Sequence, residues 1–214
     1  LIEGEAVDRF HGHALGLAVD LGTTTVALEL VDLLTGEVRA ARSFENPQRF
    51  GGSDVMSRIS YDGGAGRGEL QKAAVAALNA EIAAMAEALG FRRREIYEIV
   101  VAGNSCMRDL FFGLDVQPIG QKPYKSVTEA EFRAGLRPST ALALPAADLG
   151  LRANIRTRAI GLPLLASHVG GDTAACLLAE GFLDPAPQPQ MLIDIGTNRS
   201  EEHTSELQSL TNIV

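Results

Sequence analysis

The sequence predicts an α/β fold, because short apolar strands alternate with helical segments along most of its 214 residues. Residues 16–19 and 98–102 are apolar runs typical of buried strands, and each leads into a turn containing glycine and hydroxyl or amide side chains. Residues 70–89 instead carry an apolar residue every three or four positions, which is the period of an amphipathic helix.

The first predicted strand leads into a polar turn that connects to another strand. Residues 25–31 are again apolar and β-branched, residues 34–36 mark a second turn, and residues 37–43 are typical of a third strand. The polar turn therefore closes a β-hairpin. Walker P-loops and dinucleotide fingerprints both lead into a helix, so this turn belongs to neither class.

The residues of the first turn are suited to binding a phosphate. Gly22 lacks a Cβ atom and so allows the backbone to approach a ligand closely. Thr23, Thr24 and Thr25 offer amide and hydroxyl donors to phosphate oxygens. Asp20 can hold a hydrated Mg²⁺, which takes few carboxylates and keeps several waters. The plainer alternative is an ordinary hairpin whose threonines serve β-propensity.

A second turn of the same pattern lies near the end of the sequence. An apolar run over residues 191–193 precedes Asp194, Ile195, Gly196, Thr197 and Asn198. Both turns place a carboxylate at the end of a strand and follow it with glycine and threonine. This repetition predicts a nucleotide phosphate held between two related halves of the molecule.

The middle of the chain adds helices and a further strand. The apolar stripe of residues 70–89 ends at Gly90, a predicted C-cap, and residues 56–61 predict a short helix. After the strand at residues 98–102, Gly103 and Asn104 precede another helix. Asn104 has two open interpretations, because it can cap that helix or serve a ligand at the carboxyl end of a strand.

A further candidate site precedes the second turn. Prolines interrupt residues 117–160, where we expect short strands and a small helix near residues 129–134. Gly170 and Gly171 permit close backbone approach, and a helix is predicted over residues 174–179 with Asp172 or Thr173 as its cap. The alternative role of Asp172 is to hold a metal-bound water or to orient an attacking water.

Composition and charge exclude several classes of protein. The net charge of −8 argues against nucleic acid as a partner. No apolar run reaches the length of a membrane span, and the sequence does not open with a signal-peptide pattern. Cys106 and Cys176 show neither metal-binding spacing nor a disulfide framework. We therefore predict two core cysteines and a cytoplasmic protein.

The first turn resembles the first phosphate motif of the superfamily of actin, sugar kinases and heat-shock chaperones (ASKHA), and the second turn resembles its second motif. The resemblance implies a duplicated ribonuclease-H-like α/β fold with ATP between its halves. It also implies that Asp20 and Asp194 position Mg²⁺ and that Asp172 is catalytic, near the γ-phosphate. The residues it assigns to the nucleotide are Asp20, Gly22, Thr23, Thr24, Thr25, Gly103, Asn104, Gly170, Gly171, Asp194, Gly196, Thr197 and Asn198.

The order of these motifs is similar to that of the ATP-dependent reductive activators of corrinoid proteins. The matching segments are residues 19–27, 46–48, 54–61, 103–107, 170–175 and 194–198. The resemblance implies that ATP is coupled to the return of Co(II) corrinoids to Co(I), with electrons from a [2Fe-2S] domain upstream of this chain. It implies a corrinoid protein or corrinoid methyltransferase as partner and allows a homodimer. The chain departs from the usual pattern at Ser105, Cys106 and Gly171.

The resemblance divides the chain into four segments. Residues 1–13 are expected to end an interdomain linker, residues 14–160 to form a nearly complete first ribonuclease-H-like half, and residues 161–198 to begin a truncated second half. Residues 199–214 resemble the translation of a common sequencing adapter and are expected not to be native. The adenine-binding part of the second half is then absent.

Three other functions remain open at this point. A small-molecule kinase of the same superfamily would use Asp54 or Asp172 as a general base. An activator of 2-hydroxyacyl-CoA dehydratases would hold an iron–sulfur cluster through cysteines, for which Cys106 and Cys176 are the candidates. A binding or scaffold module would share the fold without turnover.

Overall fold

The computed structural model describes residues 10–166, 169–182 and 191–193, which form a mixed α/β structure. The strands are β1 (Leu15–Leu21), β2 (Thr25–Asp32), β3 (Val38–Glu45), β4 (Ile96–Ala102), β5 (Leu142–Pro145) and β6 (Arg158–Gly161). The α-helices are α1 (Val55–Asp62), α2 (Glu69–Leu89), α3 (Ser105–Phe111), α4 (Val127–Arg133) and α5 (Gly171–Ala179). The predicted α/β class is confirmed.

The strands form one sheet in the order β3-β2-β1-β4-β6-β5. The first three strands are joined by antiparallel pairing, β4 and β6 continue from β1 in parallel, and β5 returns antiparallel to β6. Because β1 and β4 are parallel neighbours, their carboxyl ends lie at the same edge of the sheet. Asp20 is aligned there with Ala102, directly before the two predicted polar turns.

The core packs one face of the sheet against the helices. Along β1, Leu15, Leu17, Val19 and Leu21 are buried, whereas Asp20 is exposed. The apolar stripe of α2 joins the same cluster through Leu70, Ala74, Leu78, Ile82 and Met85. Each large side chain buried in this way contributes about 1.5–3 kcal/mol. The predicted helix end is confirmed, since Gly90 adopts a left-handed conformation with φ 74° and caps α2.

Two expectations from the sequence need correction or completion. The helix predicted near residues 129–134 is α4, and short strands β5 and β6 follow it. The prediction of two core cysteines is half wrong: Cys106 is buried, but Cys176 on α5 is exposed.

Within residues 10–166, 169–182 and 191–193, none of the helices combines the length and apolarity of a membrane span. The predicted linker end and adapter segment fall almost entirely outside these ranges.

A buried ion pair anchors α3 to the segments around it. Arg108 and Asp109 are both inaccessible to solvent, with Arg108 Nη2 lying 2.7 Å from Asp109 Oδ1. Arg108 Nη1 also donates to the carbonyl oxygens of Thr140 and Leu162, at 2.8 and 3.0 Å. Ser126 Oγ donates to Asp109 Oδ2 at 2.5 Å. The pair therefore joins α3 to the start of α4 and to the chain that leads from β6 towards α5.

Helix α1 begins with a side-chain cap whose contribution depends on pH. Asp54 Oδ1 accepts a hydrogen bond from the Ser57 amide at 2.9 Å, and this bond is the main reason that the pKa of Asp54 lies below its usual value. A lowered pKa means that the cap stabilises the protein above the ordinary aspartate pKa, and that this stability is lost as the pH falls through the lowered pKa.

The substitution Asp54→Ala is expected to lower the free energy of unfolding by about 1 kcal/mol at pH 7. Urea denaturation at a series of pH values measures the difference from the wild type, which should disappear in acid. Asp54→Asn is the matched control, because asparagine keeps an acceptor for the cap and should remove the pH dependence with little loss at pH 7. A difference that persists unchanged at pH 2 would contradict this account.

Candidate functional site

The candidate site lies where the carboxyl ends of β1 and β4 meet. The turn after β1 contains Gly22, Thr23 and Thr24, and the turn after β4 contains Gly103 and Asn104. Asn104 Nδ2 donates to Thr23 Oγ1 at 3.1 Å, so the two turns are in direct contact. The sequence predicted both turns separately, and the parallel pairing of their strands brings them together.

Of the two interpretations that the sequence left open for Asn104, the structure confirms the helix cap, and the role toward a ligand stays a prediction. The Asn104 Oδ1 atom accepts from the Met107 amide at 3.0 Å and thereby caps α3. Its Nδ2 atom contacts Thr23 in the first turn. One side chain therefore fixes the start of a helix and the position of the threonine turn at the same time.

The start of α5 is held against the same edge. The amides of Gly171 and Asp172 donate to the carbonyl oxygen of Gly103, at 2.8 and 3.3 Å. The prediction that Asp172 or Thr173 caps α5 is wrong: Gly170 is the N-cap residue, and Asp172 lies within the first turn. Asp172 Oδ1 accepts from the Thr173 amide at 2.7 Å. A half-buried carboxylate thus lies at the start of a helix beside the Gly103 turn.

Glycine is required at position 170 by the closeness of this contact. A Cβ atom built on Gly170 would lie 2.5 Å from Asn104 Cα and would also overlap the Gly103 carbonyl oxygen. Both contacts are with backbone, which cannot rotate away. Gly170 is therefore the residue that lets α5 approach the β4 turn.

The substitution Gly170→Ala is expected to displace α5 and to lower the free energy of unfolding by about 1–3 kcal/mol, the usual cost of overpacking. Gly64→Ala is the matched control, because its added Cβ atom would have ordinary contacts, none closer than 3.6 Å. Urea denaturation measures both variants, and amide NMR shifts report the position of α5. Equal stability of the two variants would contradict the proposed close packing.

Asn46 and Arg58 fix the threonine turn by hydrogen bonds to its carbonyl groups. The sequence did not reveal this role. Asn46 donates from its side chain to the Gly22 carbonyl at 2.7 Å and from its amide to the Thr24 carbonyl at 2.8 Å. Arg58 Nη2 donates to the Thr23 carbonyl at 2.6 Å. The carbonyl oxygens of Gly22, Thr23 and Thr24 therefore all accept hydrogen bonds from Asn46 or Arg58. Their partial negative charges point towards these donors and away from an anion bound on the opposite face of the turn.

Arg58 also places a buried positive charge beneath the turn. Its side chain is fully buried, and its other contacts are the Gly52 carbonyl at 3.0 Å and Met107 Sδ at 3.0 Å. Among the described residues it forms no ion pair with a carboxylate, and burial lowers the pKa of its guanidinium group. A buried cation of this kind favours an anion bound nearby.

Some predicted ligand residues are accessible and others are not. Asp20, Thr24 and Thr25 are exposed at the sheet edge, whereas Thr23 is buried against Asn104. Gly22 has no room for a side chain, since a Cβ atom there would lie 2.6 Å from the Thr25 carbonyl oxygen. The exposed residues fit a hydrated Mg²⁺ and phosphate oxygens, because that ion needs only one or two carboxylates besides its waters and the phosphates.

The strand predicted before the second turn is wrong for the part that is described, since residues 191–193 form no strand and Met191 and Ile193 are exposed. The turn itself lies outside the described residues. Asp194, Gly196, Thr197 and Asn198 are outside the described residues, so their predicted roles in binding phosphate and metal stay predictions. Within the described ranges, no cluster of three or more histidine, cysteine, aspartate or glutamate residues is arranged to hold a metal ion. The site described here therefore consists of the first turn, the Gly103 turn and the start of α5.

The chain is similar to proteins that activate corrinoids. A family model described as the RACo middle region matches residues 15–184. The corrinoid activation enzyme RamQ of Eubacterium limosum is 31% identical over 188 residues, which cover 86% of this chain and 29% of RamQ. A solved structure named as a reductive activator for a corrinoid iron–sulfur protein has a TM-score of 0.73 and 32% identity, over 83% of this chain and 27% of that one.

The family match covers the residues of the candidate site. The chain spans less than a third of the length of either relative. The family model covers β1 to α5 continuously, and so includes the threonine turn, the Gly103 turn and Asp172. The chain belongs to the RACo middle region family.

Proposed function

We propose that this chain is the nucleotide-binding part of a reductive activator that returns Co(II) corrinoid proteins to Co(I). The observation that carries the proposal is the convergence of the Asp20 turn, Asn104 and the start of α5 at one sheet edge, in a chain of this family. The ligands would be ATP and Mg²⁺. The order β3-β2-β1-β4, with β2 antiparallel, supports a ribonuclease-H-like half of the ASKHA type.

Each residue of the site has a role in this proposal. Thr24 and Thr25 donate to phosphate oxygens, and Thr23 fixes the turn through its contact with Asn104. Asp20 orients a water of the hydrated metal, which when bound neutralises phosphate charge. Asp172 would orient a water beside the terminal phosphate. Arg58 stabilises the threonine turn by its bond to the Thr23 carbonyl, and its positive charge would stabilise the negative charge of the bound phosphates.

The energetic role of ATP follows from differential affinity. Reduction of Co(II) to Co(I) consumes one electron, which we propose comes from a [2Fe-2S] centre in a region outside this chain. A ligand shifts a conformational equilibrium only by the difference in its affinity for the two states. ATP bound between two halves of an activator would favour the arrangement that permits electron transfer. Hydrolysis of ATP would remove this preference and return the activator to its other arrangement.

Two residues named for the rival functions, Asp54 and Cys106, are poorly suited to those roles. Asp54 is a poor general base for a small-molecule kinase, because Ser57 donates to it from both the amide and the hydroxyl group and lowers its pKa. Cys106 is a poor cluster ligand for a dehydratase activator, because burial raises the pKa of its thiol and disfavours the thiolate.

The proposal is tested by transplanting this chain into a complete activator. The matching region of RamQ is replaced by this chain, and reduction of a Co(II) corrinoid protein is followed by visible absorption with a chemical reductant, with and without ATP. We expect ATP-dependent formation of Co(I), and loss of that dependence in the Asp20→Asn variant. Asp32→Asn, at the far end of β2, is the matched control. A folded chimera that reduces cobalt equally without ATP would contradict the proposal.

A further inference from the structure

A groove lies along α2 beside its core-facing stripe, and Val75 of the core contributes to its lining. It is apart from the candidate site. It has a volume of about 510 Å³ and runs between the exposed face of α2 and the segment of residues 149–152. Ala76 and Ala80 form part of its floor. Two hydrogen bonds fix the position of residues 149–152 against α2: Asn79 donates to the Gly150 carbonyl at 2.9 Å and accepts from the Arg152 amide at 2.7 Å.

Three cations line this groove, namely Lys72, Arg93 and Arg152, and none of its described lining residues is a carboxylate. None of the three forms an ion pair with any residue that the structure describes. Arg39, Arg49, Arg133 and Arg137 pair with Glu37, Glu45, Glu129 and Glu131, whereas the exposed Arg42, Arg67, Arg92 and Arg94 also form no ion pair with a described residue. What distinguishes the groove, in a chain with a net charge of −8, is that three cations lie together without a carboxylate among its described lining residues.

The spacing of the cations distinguishes between classes of anion. Lys72 lies in the first turn of α2, Arg152 is bonded beside Asn79 at its middle, and Arg93 follows the end of the helix. The lined part of α2, from Gln71 to Ala83, extends about 18 Å at 1.5 Å per residue. A free phosphate needs donors that converge on one point. Separated charges along a narrow floor of small residues suit a chain of anionic side chains instead.

We propose that this groove docks an extended acidic segment of a partner protein, of about five residues at the rise of a strand. Carboxylates of the segment would alternate towards Lys72, Arg152 and Arg93, while its backbone lies over Ala76 and Ala80. Electrostatic complementarity of this kind steers encounter and fixes register. The proposal does not depend on nucleotide binding at the sheet edge.

The test uses the 214-residue protein and a fluorescein-labelled peptide of alternating glutamate and alanine, with binding followed by anisotropy at low salt. The triple variant Lys72→Glu, Arg93→Glu, Arg152→Glu is expected to weaken binding by about tenfold or more. Arg39→Glu, Arg42→Glu, Arg67→Glu is the matched control, with the same change of charge at exposed residues outside the groove. It should retain affinity within about twofold.

A second variant separates docking in the groove from general attraction to positive charge. Ala80→Phe fills the floor at an exposed position and leaves all three cations in place, so it should weaken peptide binding as much as the triple variant does. Circular dichroism confirms folding of each variant. The proposal is overturned if the wild type does not bind the peptide, if the control triple loses as much affinity, or if Ala80→Phe binds normally. It is also overturned if pyrophosphate or a deoxythymidine decamer binds the groove at least as tightly as the peptide.

Discussion

The substitution Arg108→Met is expected to lower the free energy of unfolding by about 3–5 kcal/mol, because it leaves the Asp109 carboxylate buried without its cation. Arg108 also supplies hydrogen bonds to the Thr140 and Leu162 carbonyl groups, which methionine cannot replace. Burial already raises the pKa of Asp109 in the intact pair. Urea denaturation at pH 7 measures the loss.

The pH dependence of the Arg108→Met variant identifies the cause of its lower stability. Loss of Arg108 removes an attraction for the carboxylate, so the pKa of Asp109 rises further above its unfolded value. A folded-state pKa that is raised means that stability is recovered as the pH falls through that pKa and lost as it rises. The difference in free energy of unfolding between Arg108→Met and the wild type should therefore become smaller in mild acid. The double variant Arg108→Met, Asp109→Leu should be more stable at pH 7 than Arg108→Met alone, and the opposite order would contradict a buried unpaired charge.

The substitution Arg58→Met is expected to affect both stability and anion binding. It leaves the Thr23 and Gly52 carbonyl oxygens without their donor, at a cost of about 1–3 kcal/mol. It also removes the buried positive charge beneath the threonine turn, so MgATP should bind about tenfold more weakly. Thermal unfolding with and without MgATP measures both effects.

The conservative variant distinguishes the two roles of Arg58. Arg58→Lys keeps the charge but offers a single ammonium group in place of the fork that reaches Thr23 and Gly52. It should be destabilised like Arg58→Met but retain more of the affinity for MgATP. Equal affinity of the wild type and Arg58→Met for MgATP would show that Arg58 is only a structural residue.

Local sequence patterns predicted most of the fold, since its strands and helices follow regular periods. The stripe on α2, its end at Gly90 and the capping role of Asn104 all follow from the spacing of residue types. Pairing of β1 with β4 then explains why two turns 81 residues apart come together at Thr23 and Asn104. This pairing is a long-range property that periodicity alone does not encode.

Sequence patterns failed where tertiary structure overrides residue type. Arg58 and Arg108 are charged residues that would be expected on the surface, yet both are fully buried because backbone carbonyls and Asp109 satisfy them. Gly170 is the N-cap of α5 in place of a polar residue, because the Gly103 carbonyl accepts the first amides of the helix. Cys176 is exposed although cysteine is commonly buried.

The most direct test of the account is an amide NMR titration of this chain with MgATP. Binding at the proposed site predicts the largest shift changes at Gly22, Thr23, Thr24, Asn104 and Gly171, with little change along the α2 groove. The Asp20→Asn variant should show the same pattern only at higher concentrations of MgATP, and Asp32→Asn should behave as the wild type. Shifts centred elsewhere, or none at saturating MgATP, would contradict the assignment of this sheet edge as a nucleotide phosphate site.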